Sequence, residues 1–406
     1  MKRAAWAVPA LITSYALLGL LMNSVGTVIL QSIAHYGVTK THAATLEACK
    51  DLSVVVASFL FATTLPRFGF RRAQIGVMLA VAAGAVAISF ANSFWAMQLF
   101  FVLVGLCFGI AKVATYSSIG LVRPDPARHA SLTSLIEGVF MVGILAGIWL
   151  FGWFIGQDAT GQGWLGVYRV VAVLAVLTAI LWWFADLDEG AAKPVEGPSG
   201  YRDAVALLAL PSTIAFLTAI FLYVLIEQGV GTWLPTFNNQ VLHLPGAMSV
   251  QASSIFIAAL AVGRLSASGL VARLGWLRLL LGCLGLIAAL VLLTLPTTQG
   301  LQPRAEMGWF DAPIAAYIFP LIGVFMAPIY PIVSSVVLSA LPRERHAAMV
   351  GLMVIFSALG GTIGSFITGF TFDRFSGQTA FYLVLVPLVL IALALVRLER
   401  LTRKTQ

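Results

Sequence analysis

The sequence predicts an all-α membrane protein with twelve transmembrane helices arranged as two six-helix halves. The first observation is composition: of 406 residues, 60% are apolar and only 10% are charged, and the mean hydropathy is +0.97. Soluble domains carry about 25% charged residues, so this chain cannot cover a water-facing surface. The second observation is a series of apolar windows long enough to cross a bilayer. The third is an internal repeat that relates the two halves.

Apolar windows bounded by charges and helix breakers predict twelve spans, numbered 1 to 12 in chain order. The first window exceeds the 7–15 apolar residues of a signal peptide and reaches the roughly 20 that cross a bilayer, so we expect it to be retained. The predicted spans are 5–30, 43–65, 73–91, 94–122, 131–155 and 166–186 in the first half, and 206–238, 249–272, 276–296, 312–341, 346–371 and 377–397 in the second.

Three domains follow from this series of spans. Residues 1–186 form the N-terminal six-helix bundle, 187–205 a cytoplasmic linker rich in charge, Pro and Gly, and 206–406 the C-terminal bundle. A shift of 217 residues aligns the two halves without gaps around spans 5 and 11. Under that shift Arg128 falls on Arg345, and Gly143 and Gly147 fall on Gly360 and Gly364. Parallel repeats of this kind are typical of transporters.

The distribution of positive charge predicts the orientation and excludes nucleic acid as a partner. With the N-terminus in the cytoplasm, 17 of the 24 Lys and Arg fall in cytoplasmic segments and four in outer ones, leaving Lys50, Lys112 and Arg264 within spans. This bias places both termini in the cytoplasm. It also explains the net charge of +8 through topology. We expect a multi-pass protein of a bacterial inner membrane.

Two basic turns and several short motifs carry a family resemblance. The turns are Leu-Pro-Arg-Phe-Gly-Phe-Arg-Arg at 65–72 and Gly-Leu-Val-Ala-Arg-Leu-Gly-Trp-Leu-Arg at 269–278. Together with the six-plus-six layout, they resemble the major facilitator superfamily. In the second half, Tyr223 to Pro235, Gly263-Arg264-Leu265 and Ala327 to Pro331 are similar to the fucose/proton symporter family. The resemblance implies secondary transport by alternating access, with spans 1, 4, 7 and 10 lining the solute cavity.

The first half departs from that family at its proton-coupling positions. Where the resemblance implies an acid in span 1 and another in span 4, this sequence has Thr27 and Lys112. Lys112 is predicted near mid-membrane, and three interpretations stay open: an ion pair with Asp51 or Glu137, an anchor for an anionic solute group, or a group that exchanges a proton during transport. The substrate is therefore expected to be a sugar or a carboxylate-bearing metabolite.

Ionisable groups inside a bilayer are costly, so they are functional candidates. Glu47, Lys50 and Asp51 share one face of span 2, which is either a self-neutralising polar face or a place where Asp51 binds a proton or solute. Glu137 in span 5 either pairs with Lys112, lies wet at a channel mouth, or carries a proton. Arg264 in span 8 is expected to anchor neighbouring helices. Our proton-coupling or gating candidates are thus Asp51, Glu137, Lys50 and Arg264.

The remaining candidates are solute-binding. Glu227 resembles an acid typical of span 7 in the family, and the alternative is a bond to a neighbouring helix. Tyr330 nearly mirrors Lys112 across the repeat and lies between Pro328 and Pro331, which are expected to break span 10. The solute-binding candidates are Lys112, Tyr330, Glu227, Gln228, Trp233 and Asn23.

No catalytic, nucleotide-binding or metal-binding motif occurs in the sequence, so we expect no enzyme activity and no cofactor. The three cysteines lie in apolar runs and are expected to be small buried residues. The expected partners are a small-molecule substrate, protons as the coupling ion, and the bilayer, with the protein acting as a monomer. Two alternatives remain: an exporter of a siderophore or drug, and a membrane sensor that has lost transport.

Overall fold

The computed structural model describes residues 6–62, 64–122, 125–157, 163–187, 189, 206–303, 307–342 and 345–403. Within this part of the chain every regular element is helical and no strand is present. Eleven helices there are long and apolar enough to cross a membrane. The predicted span 2 is a further helix of 18 residues, which carries Glu47, Lys50 and Asp51. The predicted twelve-helix fold is thus confirmed.

The predicted linker 187–205 lies outside the described residues except for Leu187 and Glu189. Several basic residues used for the predicted orientation also lie outside them: Lys2, Arg3, Arg123, Lys193, Arg202, Arg304, Arg343 and Lys404. The membrane orientation therefore stays a prediction.

In the part of the first compact unit that the structure describes there are eight α-helices and a short 3-10 turn at Gly163–Gly166. Its helices are α1 (Ala7–Met22), α2 (Val25–Tyr36), α4 (Thr45–Ala62), α5 (Leu65–Phe68), α6 (Phe70–Phe90), α7 (Phe94–Val122), α8 (Pro126–Gly156) and α9 (Val167–Phe184). The intervening short helix α3 (Lys40–Ala43) groups with the second unit instead.

The described residues of the second unit form further helices. They are α10 (Pro211–Gln240), α11 (Gly246–Ala252), α12 (Ser254–Leu274), α13 (Trp276–Thr294), α14 (Ala315–Ile318), α15 (Ile322–Met326), α16 (Ile329–Ala340), α17 (His346–Arg374), α18 (Gly377–Tyr382) and α19 (Leu385–Arg403). Single-turn 3-10 segments at Leu295–Thr298 and Phe319–Leu321 join some of them.

Two spans are interrupted where the sequence offers polar or proline residues. Span 1 extends to Tyr36, beyond the predicted residue 30, and breaks at Asn23 and Ser24. Span 10 breaks at Ala327 and Pro328, as the proline predicts. Pro331 does not break the helix, contrary to expectation. It lies in the first turn of α16, where a backbone N–H has no partner to lose.

Glycines set the packing register of spans 1 and 5, and the same register recurs in spans 7 and 11. A Cβ on Gly143 would overlap the carbonyl oxygen of Ala16, and one on Gly360 would overlap that of Phe221. One helical turn further on, Gly147 faces Leu20 and Gly364 faces Leu225. Small residues let membrane helices approach this closely. The predicted repeat at these glycines is therefore confirmed by equivalent packing in the two units.

Spans 2 and 4 in the first unit pack like spans 8 and 10 in the second. A Cβ on Gly105 would overlap the carbonyl oxygen of Lys50, and Gly323 has the same relation to Phe256. The next contact is made by Gly109 and Ala57 in the first unit. In the second unit it is made by Ala327 and Gly263, with glycine and alanine exchanged between the two helices.

Candidate functional site

The packing register assigns equivalent positions to four of the predicted solute-binding residues. Gly105 and Gly323 are equivalent and lie 218 residues apart, so Lys112 corresponds to Tyr330. Ala16 and Phe221 are equivalent and lie 205 residues apart, so Asn23 corresponds to Gln228. The 217-residue shift from sequence paired Lys112 with Ile329. The structure corrects this by one residue because spans 4 and 10 pack in a register one residue longer.

Lys112 is exposed on α7, and its ammonium nitrogen lies 5.9 Å from the centroid of the Phe108 ring. Among the residues the structure describes, no carboxylate lies within 4.0 Å of this nitrogen. Asp51, one of the two predicted partners, lies 3.3 Å from Lys50 instead. An aromatic ring face stabilises a cation only weakly unless the site is shielded from water. Glu137, the other predicted partner, attracts this ammonium group from beyond 4.0 Å, so Lys112 has no close ion pair in the described structure.

Glu137 is exposed on α8 and accepts a hydrogen bond from the hydroxyl of Tyr116, one helical turn beyond Lys112 on α7. The ring of Tyr116 meets the ring of Tyr15 edge to face, with centroids 6.2 Å apart. Tyr15 also contacts Phe140, with centroids 5.2 Å apart. The aromatic packing therefore positions Tyr116, which in turn orients the Glu137 carboxylate on the face that carries Lys112.

The predicted polar face of span 2 forms a buried ionic cluster around Lys50. Its ammonium nitrogen lies 2.6 Å from Glu47 Oε1 and 3.3 Å from Asp51 Oδ1, and it donates to the carbonyl oxygen of Met22 at 3.3 Å. The Glu47 side chain is fully buried and that of Asp51 is 13% exposed. Glu47 is thus a buried partner of Lys50 and has no contact with water. Met22 is the last residue of α1, so Lys50 also stabilises a carbonyl at the break in span 1.

A second polar group surrounds Glu227 on α10. Tyr223 donates its hydroxyl to Glu227 Oε1 at 3.0 Å, and Arg264 Nη2 lies 4.0 Å from the same oxygen. The rings of Tyr223 and Tyr330 lie 6.0 Å apart. Arg264 thus links α12 to α10. Its guanidinium is nevertheless half exposed, so the pair is loose and partly accessible.

Gln228 and Asn23, the equivalent amides, are both half-buried. Thr232 donates its hydroxyl to Gln228 Oε1 at 3.4 Å, a long hydrogen bond. No described side chain bonds to the Asn23 amide, which lies at the break between α1 and α2. Both amides therefore retain hydrogen-bonding capacity for a ligand.

Trp233 differs from the other candidates because it lies in the core of the second unit. It is fully buried, its Nε1 donates to Ser365 Oγ at 3.0 Å, and its ring stacks on Phe372 with centroids 5.6 Å apart. This environment satisfies the indole completely. The structure therefore places Trp233 in helix packing between α10 and α17, away from an open ligand position.

Sequence reasoning missed the tyrosines that hold the charged side chains. Tyr116 follows Lys112 by four residues, and Tyr223 precedes Glu227 by four. Residues four apart are neighbours on a helix face. A search for tyrosines at this spacing from charged residues in spans would have found both.

Within the described residues, no group of three or more His, Cys, Asp or Glu could hold a metal ion. Cys107 and Cys283 are buried and Cys49 is half-buried; all three are free thiols. The site elements are thus a lysine without a close carboxylate, two carboxylates that accept hydrogen bonds from tyrosines, and two uncharged amides, all on membrane-spanning helices.

These helices and polar groups define a membrane transport protein. The sequence profile of the Major Facilitator Superfamily matches residues 11–319 and 305–406, and the chain belongs to that superfamily. Members of this superfamily are transporters, and such proteins are generally not enzymes. The comparison with curated proteins gives no significant sequence match.

Solved structures share the fold along nearly the whole chain. The nucleoside transporter NupG has a TM-score of 0.75 at 13% identity, covering 98% of this chain and 100% of that chain. A bacterial homologue of the human lysosomal transporter Spinster, inward-facing and occupied, has a TM-score of 0.74 at 15% identity, covering 99% and 97%. At this identity the likeness concerns the fold alone.

Proposed function

We propose that this protein is a secondary active transporter that takes up a small carboxylate-bearing solute together with protons, by alternating access, across a bacterial inner membrane. The supporting observation is Lys112, a cation in a spanning helix without a carboxylate within 4.0 Å among the described residues. A charge at the bilayer centre costs at least about 2.5–3.5 kcal/mol when uncompensated. A solute carboxylate would supply the close counter-ion that Glu137 does not provide, since lysine acts as a point charge for anions.

Proton coupling is proposed through the carboxylates of the spanning helices. The sequence has no nucleotide-binding motif, so uphill transport would draw on an ion gradient. Glu137, next to Lys112 on the Tyr116 contact, is the carboxylate best placed to respond to solute binding in the first unit. Asp51 and Glu227 are the other two candidates, each already beside a cation.

A neutral sugar is a second candidate, favoured by the polar group of the second unit. Gln228, Tyr330 and the Tyr223–Glu227 pair offer hydrogen bonds without a free charge. These residues also carry the resemblance to the fucose/proton symporter family. On this interpretation Lys112 serves the conformational cycle and does not contact the solute.

Ligand-dependent thermal stabilisation of the purified protein distinguishes the two candidates. The panel pairs each carboxylate with its amide, and includes neutral sugars and nucleosides. A ligand at 100 times its Kd adds about 2.7 kcal/mol of stability. Carboxylates should stabilise the wild type and Lys112→Arg but not Lys112→Met. The control Lys40→Met removes a lysine at the start of the short helix α3 and should respond like the wild type.

Neutral sugars that stabilise the wild type and Lys112→Met equally would overturn the carboxylate proposal and favour the sugar. Uptake of the stabilising ligand into proteoliposomes under an inward proton gradient then tests the coupling. Uptake at the same rate with and without the gradient would contradict proton coupling. Transport of the ligand only out of the proteoliposomes would identify an exporter.

A further inference from the structure

The second unit contains a cavity of about 1040 Å³ at one end of its helix bundle. The first residues of α10 and α13 contribute to its wall, as do the last residues of α16 and the C-terminal part of α19. The predicted orientation places these helix ends on the cytoplasmic side. None of the solute-binding candidates lines this cavity, so it is distinct from the groups around Glu227 and Lys112.

Two arginines line the cavity, and both are available to a ligand. Neither the Arg278 nor the Arg345 side chain makes a hydrogen bond or ion pair with any residue that the structure describes. Glu399 is the one acidic residue among the described lining residues, which leaves a net charge of +1. Charge therefore favours an anion in this cavity.

Two helix N-termini open on the same cavity without internal capping. Neither α10 nor α13 has a side-chain cap or an acidic residue in its first turn. The lining includes Ser212 and Thr213 at the start of α10 and Trp276 and Leu277 at the start of α13. Free N–H groups and the helix dipole favour an anion at such a terminus.

The first unit shows what occupies the equivalent terminus there. Gly69 precedes α6 and Gly275 precedes α13, both with positive φ, and the two helices start 206 residues apart. In the first unit the N–H of Arg71 donates to Glu189 Oε1 at 2.7 Å, so a carboxylate binds the start of α6. The equivalent N–H in the second unit is that of Leu277. It has no acceptor among the described residues, and Leu277 lines the cavity.

We propose that this cavity binds the phosphate group of an organic phosphate, held by Arg278, Arg345 and the N-terminus of α13. In the first unit, the carboxylate of Glu189 occupies the equivalent helix N-terminus. Arginine forms paired hydrogen bonds with phosphate oxygens, and the cavity is far larger than one phosphate ion. Apolar wall residues such as Leu210 and Val336 can contact a glycerol or acyl segment. The position at the ends of spanning helices suits a phospholipid headgroup.

The test measures thermal stabilisation of the full-length protein in detergent by added phosphates. The probes are short-chain phosphatidylglycerol, inorganic pyrophosphate, and a short-chain diacylglycerol as the lipid without phosphate. The variants are Arg278→Gln, Arg345→Gln and the double variant. Arg273→Gln is the matched control because Arg273 is exposed in the same basic turn but does not line the cavity.

Phosphatidylglycerol should stabilise the wild type and Arg273→Gln, with about tenfold more lipid required by each single cavity variant, the size of one lost charge-assisted hydrogen bond. An arginine-dependent response to pyrophosphate without one to phosphatidylglycerol would support the site and assign it to a soluble phosphate ester. An equal response in the wild type and the double variant, or equal stabilisation by the phosphate-free diacylglycerol, would overturn the proposal.

If a glutamine variant does not fold, Arg278→Lys and Arg345→Lys retain the charge and test the same site. Loss of phosphate binding in these variants with intact folding would support bidentate recognition, and an unchanged response in both would contradict it. The readout is binding to the second unit, so failure of the proposed transport activity does not affect it.

Discussion

Asp373 bonds twice to Thr41, accepting hydrogen bonds from its backbone N–H and from its hydroxyl at 2.6 Å each. The same carboxylate accepts from the N–H of Lys40 at 2.9 Å. In the chain, Thr39–Ala44 connects α2 to α4 of the first unit, yet it packs with the second unit. Gly369 makes this possible, because a Cβ there would lie only 2.9 Å from the Lys40 carbonyl oxygen. Asp373 therefore holds the connection between spans 1 and 2 against α17 through three hydrogen bonds.

Asp373→Ala should remove the three hydrogen bonds that hold Lys40 and Thr41. Loss of a helix cap costs about 1 kcal/mol, so amide exchange at Lys40 and Thr41 should accelerate about fivefold. Hydrogen–deuterium exchange of peptides covering Thr39–Ala44 measures this directly. Asp311→Ala, in another exposed loop of the same unit, should leave these amides unchanged. Unaltered exchange in Asp373→Ala would show that other contacts hold the segment.

The glycine contacts predict equal sensitivity at equivalent positions of the two units. Gly143→Ala and Gly360→Ala each place a methyl group against a backbone carbonyl that belongs to the neighbouring helix. Overpacking of this kind costs about 1–3 kcal/mol, so both variants should melt at a lower temperature in detergent. Gly138→Ala, on α8 with open space around it, should be neutral or slightly stabilising. Equal melting temperatures for all three would contradict the close approach.

Trp233 is predicted to contribute to stability and not to solute binding. Trp233→Phe keeps the ring contact with Phe372 but removes the donor to Ser365, which should cost about 1 kcal/mol. Ser365→Ala breaks the same bond, so the two effects should be less than additive in the double variant. Melting curves with and without a stabilising ligand check both points. A lost ligand response at unchanged stability would place Trp233 at the solute instead.

The fold could be predicted from the sequence because hydrophobic length is a local property. Span 4 was predicted at 94–122 and is observed at Phe94–Val122. The pairing of Lys112 with Tyr330 could not be obtained to the residue, because it depends on which glycine faces which carbonyl on another helix. A gapless alignment applies a single offset to the whole repeat, whereas span 1 is offset from span 7 by 205 residues and span 4 from span 10 by 218.

The ionisable candidates could be predicted because a charged side chain in a bilayer has a high free-energy cost. The residues that contact them could not be predicted in the same way. The spacing of Glu47, Lys50 and Asp51 predicted an ionic face, and the structure has one. The hydrogen bond from Lys50 to the Met22 carbonyl depends on a break in span 1. Asn23 and Ser24 in the sequence do not by themselves predict that break. Similarly, the burial of Trp233 against Ser365 is a tertiary property, and the sequence pattern of span 7 alone does not reveal it.

Lys50→Met should be among the most destabilising single changes in the first unit. It leaves Glu47 and Asp51 buried beside each other without their cation, and breaking a buried ion pair costs about 3–5 kcal/mol. The triple variant Glu47→Gln, Lys50→Met, Asp51→Asn removes all three charges and should recover much of the loss. Lys112→Met is the matched control: because Lys112 is exposed and has no such pair, removal of its charge should not lower the melting temperature.

The same triple variant separates the two interpretations of the span 2 cluster. If the cluster is a self-neutralising structural face, uptake into proteoliposomes should still respond to a proton gradient, because no charge in it changes during the cycle. If Asp51 carries the proton, exchange of bound solute should persist while accumulation driven by the gradient is lost. We expect the first result, because Lys50 bonds to both carboxylates and to a backbone carbonyl at once, a closed arrangement that a passing proton would disrupt.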